Sequence, residues 1–216
     1  MTRIVAFSDT HSYHRRVKIP DGDILICAGD ITFTGELPVI EDFCRWMKEL
    51  PHKYKVIIHG NHEVGHESGI KRKPGLDMLR NAGIIHLENS MVEIEGFKIY
   101  GSPIQPYFLG WEYNRRRGKE IADFWAKIPD DVNILITHGP VKNVLDEVPQ
   151  EDGTVLHEGC EDLARRISQL KDLRLSVCGH IHSGYGTLKK DNIIYVNAAI
   201  CTNAYNPTNL PITIDL

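Results

Sequence analysis

The chain has 216 residues, of which 42% are hydrophobic and 25% are charged, a balance typical of a soluble globular protein. This length fits one large domain that buries a substantial core. The net charge of -4 excludes a global basic field of the kind that nucleic-acid-binding proteins use, so an anionic substrate would need a local positive site such as a bound metal ion.

The cysteines and the apolar runs indicate the cellular compartment of the protein. The five cysteines form no CxxC pair and are typical of reduced thiols in or near a core: Cys27, Cys44, Cys160, Cys178 and Cys201. The first apolar run is too short for a signal peptide, and no run approaches the roughly 20 residues of a membrane span. We therefore expect a cytoplasmic protein with no membrane partner.

In chain order, apolar runs alternate with amphipathic segments. Ile4–Phe7 and Ile24–Ala28 predict two buried strands. Apolar residues between positions 37 and 50 recur at three- and four-residue steps, which places them on one face of a helix. Val56–His59 predicts a third buried strand and Leu76–Arg80 a short second helix.

The same alternation continues to the end of the chain. Met91–Glu95 and Phe97–Tyr100 flank Gly96 and predict a hairpin or a tight turn. Ile134–Thr137 and Leu175–Cys178 predict buried strands on either side of a helix at Cys160–Leu170. Two late strands are expected at Ile193–Ala199 and Ile212–Asp215. No repeat or linker-like run interrupts the pattern, so we predict one domain over residues 1–216, an α/β fold with helices on the outer faces of its sheets.

Polar residues that can bind metal follow each of the five buried strands. The segments are Ser8-Asp9-Thr10-His11, Gly29-Asp30, Gly60-Asn61-His62-Glu63, Thr137-His138-Gly139 and Gly179-His180-Ile181-His182. Open α/β sheets place their active sites at the carboxyl ends of their strands, so we expect these segments to converge. Any one of them alone is explained as a turn, but five in order indicate a site.

The candidate ligands combine carboxylate and amide oxygens with imidazole nitrogens and include no thiolate. They are Asp9, His11, Asp30, Asn61, His138, His180 and His182. This set suits Mn²⁺, Fe or Zn²⁺ better than a structural zinc site, and it exceeds what one tetrahedral ion needs. We predict two ions roughly 3.5–4 Å apart, with Asp30 as the bridging carboxylate and Asn61 binding through its carbonyl oxygen.

Such a pair of ions predicts hydrolytic chemistry. Two ions would lower the pKa of a water between them and supply hydroxide near neutral pH. His62 follows Asn61 and is not needed as a ligand, so it is the predicted general acid for the leaving oxygen. Asp30 and Asn61 complete the predicted catalytic set. Glu63 either orients His62 or holds the local backbone, and we favour the structural role.

The segment Gly101–Gly118 has neither a helical nor an alternating pattern. A connection of this length is typically a functional lid or a disordered stretch, and its aromatic content argues against disorder. One interpretation is a loop that buries its own aromatic residues. The other places Phe108 or Trp111 at the mouth of the site, stacked on a nucleobase. Arg115 begins a run of three arginines that is either solvated or substrate-facing.

The five motifs in this order resemble the signature of the calcineurin-like metallophosphoesterases. Further segments, among them Tyr100-Gly101-Ser102-Pro103 and Pro207-Thr208-Asn209, are similar to a narrower group, the metallophosphoesterase-domain-containing proteins known from animal brain. The resemblance implies a four-layer α-β-β-α sandwich. It also implies one ion on Asp9, His11, Asp30 and His182 and a second on Asp30, Asn61, His138 and His180, with His62 assisting the leaving group. Glu63 stands where many relatives carry aspartate.

The resemblance favours a phosphodiesterase acting on 2′,3′- or 3′,5′-cyclic nucleotides with two divalent ions, Mn²⁺ first and Fe, Zn²⁺, Co²⁺ or Ni²⁺ as alternatives. A phosphomonoesterase stays open because the same centre serves both reactions. A nuclease ranks third because the acidic chain offers no extended track for a strand. A catalytically inactive binding module ranks last, since a scaffold has no chemical reason to keep all seven ligands. The expected partner is a small phosphate ester, a nucleotide first.

Overall fold

Fifteen β-strands and four α-helices make up the computed structural model, which describes residues 1–216. The strands are β1 (Arg3–Phe7), β2 (Ile24–Cys27), β3 (Tyr54–Ile57), β4 (Ile85–His86), β5 (Ser90–Ile94), β6 (Phe97–Ser102), β7 (Gln105–Pro106), β8 (Asn114–Arg115), β9 (Ile134–Thr137), β10 (Glu147–Pro149), β11 (Val155–His157), β12 (Leu175–Cys178), β13 (Gly186–Lys190), β14 (Ile193–Asn197) and β15 (Ile212–Asp215). The helices are α1 (Leu37–Glu49), α2 (Arg72–Asn81), α3 (Lys119–Trp125) and α4 (Glu161–Ile167). None of the helices is both long enough and apolar enough to cross a membrane.

Two large sheets carry the fold. The first has the order β15-β1-β2-β3-β4 and is parallel except for β15, which pairs antiparallel with β1. The second has the order β13-β14-β12-β9-β6-β5, with four parallel central strands and antiparallel edge strands β13 and β5. Parallel strands end at the same edge, so each sheet brings several strand ends together.

Side chains alternate between the two faces of each strand, and this alternation builds the layers. In the first sheet, Ile4, Ile26 and Val56 point into a cluster between the two sheets, where they meet Ile134 and Val177 of the second sheet. The intervening residues of the same strands face the other way and pack against α1. That outer cluster includes Val5, Leu25, Ile57, Ile40, Phe43 and Met47.

The helices cover the outer faces. α1 has Pro38 in its first turn, where a missing N–H costs no hydrogen bond, and it ends at Glu49 shortly before Pro51. On the other side of the molecule, α3 and α4 contribute to a third cluster with the outer face of the second sheet. Its members include Tyr100, Leu135, Ile121, Trp125, Leu163 and Ile167. The architecture is therefore the expected four-layer α-β-β-α sandwich.

The core strands match their prediction, and the differences lie in the helices. All five buried strands and the hairpin at residues 91–100 are present. α2 is longer than expected and α4 is shorter, because helix ends depend on tertiary contacts as much as on periodicity. The sequence analysis did not find α3, whose seven residues are too few to establish a helical period.

Candidate metal centre

The carboxyl ends of strands from both sheets meet at one place. The loops after β1, β2 and β3 come from the first sheet, and those after β9 and β12 come from the second. Three groups of side chains there have potential ligand atoms within 4.8 Å of one another. The groups are Asp9 with His11 and His182, His11 with Asp30 and His62, and Asp30 with His138 and His180.

The backbone at this edge takes conformations that strands and helices do not use. The φ angle is 53° at Asp9, 39° at His11, 53° at Asp30 and 66° at His180. Left-handed residues other than glycine are uncommon and cluster at functional sites, where each costs about 1–3 kcal/mol. A Cβ on Gly60 would collide with the Asp30 carboxylate. The chain therefore tolerates strain and needs a glycine in order to bring these side chains together.

Asp30 belongs to both the second and the third of these groups. Its Oδ1 accepts a hydrogen bond from the His62 backbone N–H at 2.9 Å, while its Oδ2 lies 3.3 Å from His138 Nε2 and 3.8 Å from His11 Nε2. Burial alone would raise the pKa of Asp30, but the adjacent His138, through its charge and a hydrogen bond, holds that pKa well below its usual range. Asp30 is therefore an anion that reaches both sides of the centre.

Asp9 is a second buried carboxylate. It accepts the His180 backbone N–H at 3.0 Å and lies 3.3 Å from His182 Nε2. Burial opposes ionisation of this group too, yet the contact with His182 lowers the pKa of Asp9 to about 2. Two buried carboxylates whose pKa values are lowered by adjacent histidines indicate a site that favours positive charge.

Backbone carbonyl groups orient three of the imidazoles. His11 Nδ1 lies 3.3 Å from the carbonyl oxygen of Thr32. His138 Nδ1 lies 2.8 Å from that of Ala28, and His182 Nδ1 lies 2.9 Å from that of Thr202. A carbonyl oxygen only accepts, so each Nδ1 carries a proton, and Nε2 is the nitrogen whose lone pair faces the centre when the ring is neutral. This arrangement recurs in histidines that bind metal.

In that tautomer, the lone pairs of neighbouring acceptor atoms face one another across the centre. His11 Nε2 and His182 Nε2 are 3.3 Å apart, and His138 Nε2 is 2.9 Å from Asn61 Oδ1. When the rings are neutral, each pair brings two acceptors to hydrogen-bond distance, which is unfavourable unless a cation, a metal ion or a proton on Nε2, lies between them. The residues therefore fit divalent metal ions. Without metal a proton takes that place at His138: burial lowers its pKa, but Asp30 raises it to about 9.

His62 lies beside these ligands with a different set of contacts. Its Nδ1 is 2.7 Å from the Phe33 carbonyl oxygen, and its ring stacks on Trp111 with centroids 4.3 Å apart. His62 also lines the cavity above the centre. The one hydrogen bond of the ring uses Nδ1, so Nε2 is the nitrogen available to a substrate.

Glu63 holds the loops that carry the ligands. Its carboxylate accepts four backbone N–H groups at 2.6–3.0 Å, from Asp30, Ile31, Thr32 and Gly60. Burial and the charge of Asp30 raise the pKa of Glu63 to about 7, although the hydrogen bonds from the Gly60 and Thr32 backbones oppose this shift. Of the two roles considered for Glu63, the contacts match the structural one.

A cavity of about 580 Å³ opens above the centre. Phe108 lines it, and the Phe108 ring stands edge-on to His180 with centroids 5.5 Å apart. Trp111 does not line the cavity. Arg115 is also absent from its walls, because its guanidinium pairs with Glu67.

Several residues around this cavity are not predictable from the sequence pattern. Tyr205 lies edge-on to His11 and His182, with ring centroids 4.8 and 5.4 Å apart, and has a φ of 57°. Arg117, and Val148 and Leu156 of the β10–β11 hairpin, line the same space. None of these residue types marks a metal site. The only local signal was the turn-forming Asn206-Pro207 pair next to Tyr205.

The chain is similar to a known protein family and to known proteins. The family model described as calcineurin-like phosphoesterase matches residues 2–184. The human metallophosphoesterase domain-containing protein 1 is 41% identical over 236 aligned residues, which cover 100% of this chain and 71% of the human protein.

Two solved structures share the fold. The protein TT1561 of Thermus thermophilus aligns with a TM-score of 0.56 at 13% identity, over 91% of this chain and 88% of that one. A dimetal phosphatase from Danio rerio aligns with a TM-score of 0.50 at 8% identity, over 98% of this chain and 91% of that one. The family model matches most of the chain, and the human protein is 41% identical to it. Together these findings establish that the chain belongs to the calcineurin-like phosphoesterase family, a family of phosphoester hydrolases.

Proposed function

We propose that the protein is a dinuclear metal-dependent phosphodiesterase whose substrates are 2′,3′- or 3′,5′-cyclic nucleotides. The observation that carries the proposal is the set of imidazoles with Nδ1 tied to the backbone and Nε2 facing other acceptors. One ion is assigned to Asp9, His11, Asp30 and His182, and the other to Asp30, Asn61, His138 and His180.

Two bound ions would supply an activated water and would offset the charge of the phosphoryl oxygens. The donor set of imidazoles, carboxylates and one amide favours Mn²⁺, with Fe, Zn²⁺, Co²⁺ or Ni²⁺ as alternatives. Asp30 keeps its negative charge between the two positions, and Glu63 keeps the Asp30 loop in place. His62 directs Nε2 into the cavity and donates the proton that the leaving oxygen needs.

The cavity supports a substrate with an organic group on the phosphate. Its volume of about 580 Å³ is in the range of sites for small organic ligands. Phe108 is 46% exposed although it touches His180, so part of its ring is available to a ligand. Stacking of a nucleobase on such a ring is worth about 1–3 kcal/mol.

The charges in the cavity favour a diester over a monoester. A phosphate monoester carries a second negative charge near neutral pH, and binding it calls for an additional cation. Arg117 is the only arginine or lysine in the wall, and its guanidinium already pairs with Glu161 and with the carbonyl oxygens of Glu158 and Gly159. Phosphomonoesterase activity is therefore the second candidate. We place the activity in the cytoplasm, which the five free and buried cysteines support.

The proposal is tested with the metal-free protein and with the same protein loaded with Mn²⁺. Each is assayed on 2′,3′- and 3′,5′-cyclic nucleotides, on a nucleoside monophosphate and on methyl 4-nitrophenyl phosphate. We expect metal-dependent hydrolysis of the diesters and higher kcat/KM for a cyclic nucleotide than for the monophosphate. A higher kcat/KM for the monophosphate would make the protein a phosphomonoesterase. No hydrolysis of any ester with any of the candidate metals would remove the enzymatic assignment.

A further inference from the structure

We infer that Trp111 is a positioning residue that holds the His62 imidazole in the orientation needed to protonate the leaving oxygen. Trp111 acts through His62, so the assignment rests on the proposed role of His62 as proton donor. It differs from a substrate-stacking role, in which the indole itself would contact a nucleobase.

The His62 ring is oriented by a hydrogen bond at one edge and by the Trp111 indole on one face, and the His11 ring stands edge-on to it with centroids 4.6 Å apart. Nδ1 lies 2.7 Å from the Phe33 carbonyl oxygen, which sets the edge that faces the protein. The indole of Trp111 lies against one face of the imidazole, with an interplanar angle of 29° and centroids 4.3 Å apart. A histidine side chain has broad freedom about its terminal torsion. The carbonyl and the indole restrict that freedom, and the ring they hold lines the cavity.

Trp111 is itself anchored, although its segment is irregular. The carboxylate of its neighbour Glu112 accepts the backbone N–H groups of Gly65 and Glu67, both at 3.1 Å. In return, the Glu67 carboxylate accepts the Tyr113 backbone N–H at 2.7 Å. These reciprocal carboxylate contacts join the residues around Trp111 to the loop that follows His62.

The alternative role of Trp111 as a base platform has less support. His62 lines the cavity and Trp111 does not, so the indole lies behind the imidazole and the stacked face is already covered. Phe108, three residues earlier, lines the cavity and keeps an exposed face. Within this one segment, Phe108 is therefore placed to contact the substrate and Trp111 to contact the proton donor.

The test compares two methyl aryl phosphodiesters, one with 4-nitrophenol and one with phenol as the leaving group. Phenolate is the poorer leaving group and depends more on a proton donor. A small misplacement of a catalytic group costs up to about 100-fold, so Trp111→Leu should lose roughly 10- to 100-fold in kcat on the phenyl ester. It should lose far less on the nitrophenyl ester, and Trp111→Phe, which keeps an aromatic face, should recover most of the activity.

A double-mutant cycle with His62→Ala separates positioning from packing. If Trp111 works through His62, the double variant is no slower than His62→Ala alone. Additive losses, or equal losses on both esters, would overturn the inference. Leu109→Ala is the matched control, because Leu109 is in the same segment, is 75% exposed and does not line the cavity.

A readout without catalysis completes the test. The stacked indole should shift the His62 ring-proton NMR signals upfield, and Trp111→Leu should remove that shift. Unshifted signals in the unsubstituted protein would overturn the inference. If His62→Ala shows no leaving-group dependence, the proposed proton donor fails. If His62→Ala is selective and Trp111→Leu is not, only the role of Trp111 fails.

Discussion

Replacing Glu63 with glutamine should destabilise the metal centre without removing any proposed ligand. Each carboxylate oxygen of Glu63 accepts two backbone N–H groups, Oε2 from Asp30 and Gly60 and Oε1 from Ile31 and Thr32. Glutamine puts an NH₂ group where one of these oxygens was, so two buried donors would face another donor. An unsatisfied buried donor costs about 1–3 kcal/mol, which predicts a loss of roughly 2–6 kcal/mol in the free energy of unfolding.

Urea denaturation of the metal-free protein measures this loss, and calorimetric titration with Mn²⁺ measures the accompanying loss of affinity. Glu63→Asp is the informative control, since it keeps two acceptor oxygens on a shorter side chain and should lose less stability than Glu63→Gln. Glu49→Gln is the surface control, because the Glu49 side chain is 63% exposed. The reasoning is refuted if Glu63→Gln is no less stable than Glu49→Gln, for which we expect a change within about 0.5 kcal/mol.

Three further predictions concern the bridge, the cavity wall and acid stability. Asp30→Ala should lose both ions and Asp9→Ala only one, as measured by elemental analysis after gel filtration. Phe108→Ala should raise KM for a cyclic nucleotide by roughly 5- to 150-fold, with a smaller effect on methyl 4-nitrophenyl phosphate in steady-state assays. Burial lowers the pKa of His86 to about 4, so the unfolded chain binds a proton between about pH 6.5 and 4 that the folded chain does not. The free energy of unfolding should therefore decrease as the pH falls through this range, and less steeply in His86→Gln.

Each of these has an outcome that would contradict it. Two ions retained by Asp30→Ala would mean that another group bridges the metals. Equal changes in KM on both esters would give Phe108 a packing role. An unchanged slope of stability against pH in His86→Gln would mean that His86 does not stay neutral in the folded chain.

The sequence predicts the core strands and the set of candidate ligands because both follow from local patterns. An apolar run such as Ile24–Ala28 must be buried, and a polar residue directly after it, such as Asp30, must lie at the edge of the sheet. The ordering of the five motifs then adds the family resemblance. These features depend on neighbouring residues and need no knowledge of the tertiary contacts.

The remaining features depend on contacts between distant segments, which no local pattern encodes. Tyr205 reaches His11 from a loop almost two hundred residues later in the chain. The tautomer of His138 is set by the Ala28 carbonyl, and the stack of Trp111 on His62 depends on the reciprocal contacts of Glu112 and Glu67. Aromatic content indicated that the segment carrying Trp111 is ordered, but it could not indicate which ring faces the cavity.

The central claim is that two metal ions, shared through Asp30, make this chain a phosphodiesterase. The most direct test is a titration of the metal-free protein with Mn²⁺ in which the initial rate of methyl 4-nitrophenyl phosphate hydrolysis is measured. The protein concentration is kept well above the metal dissociation constants. We predict that the rate rises to a plateau at two equivalents of Mn²⁺ per chain. A plateau at one equivalent, or a rate that does not depend on Mn²⁺, would contradict the claim.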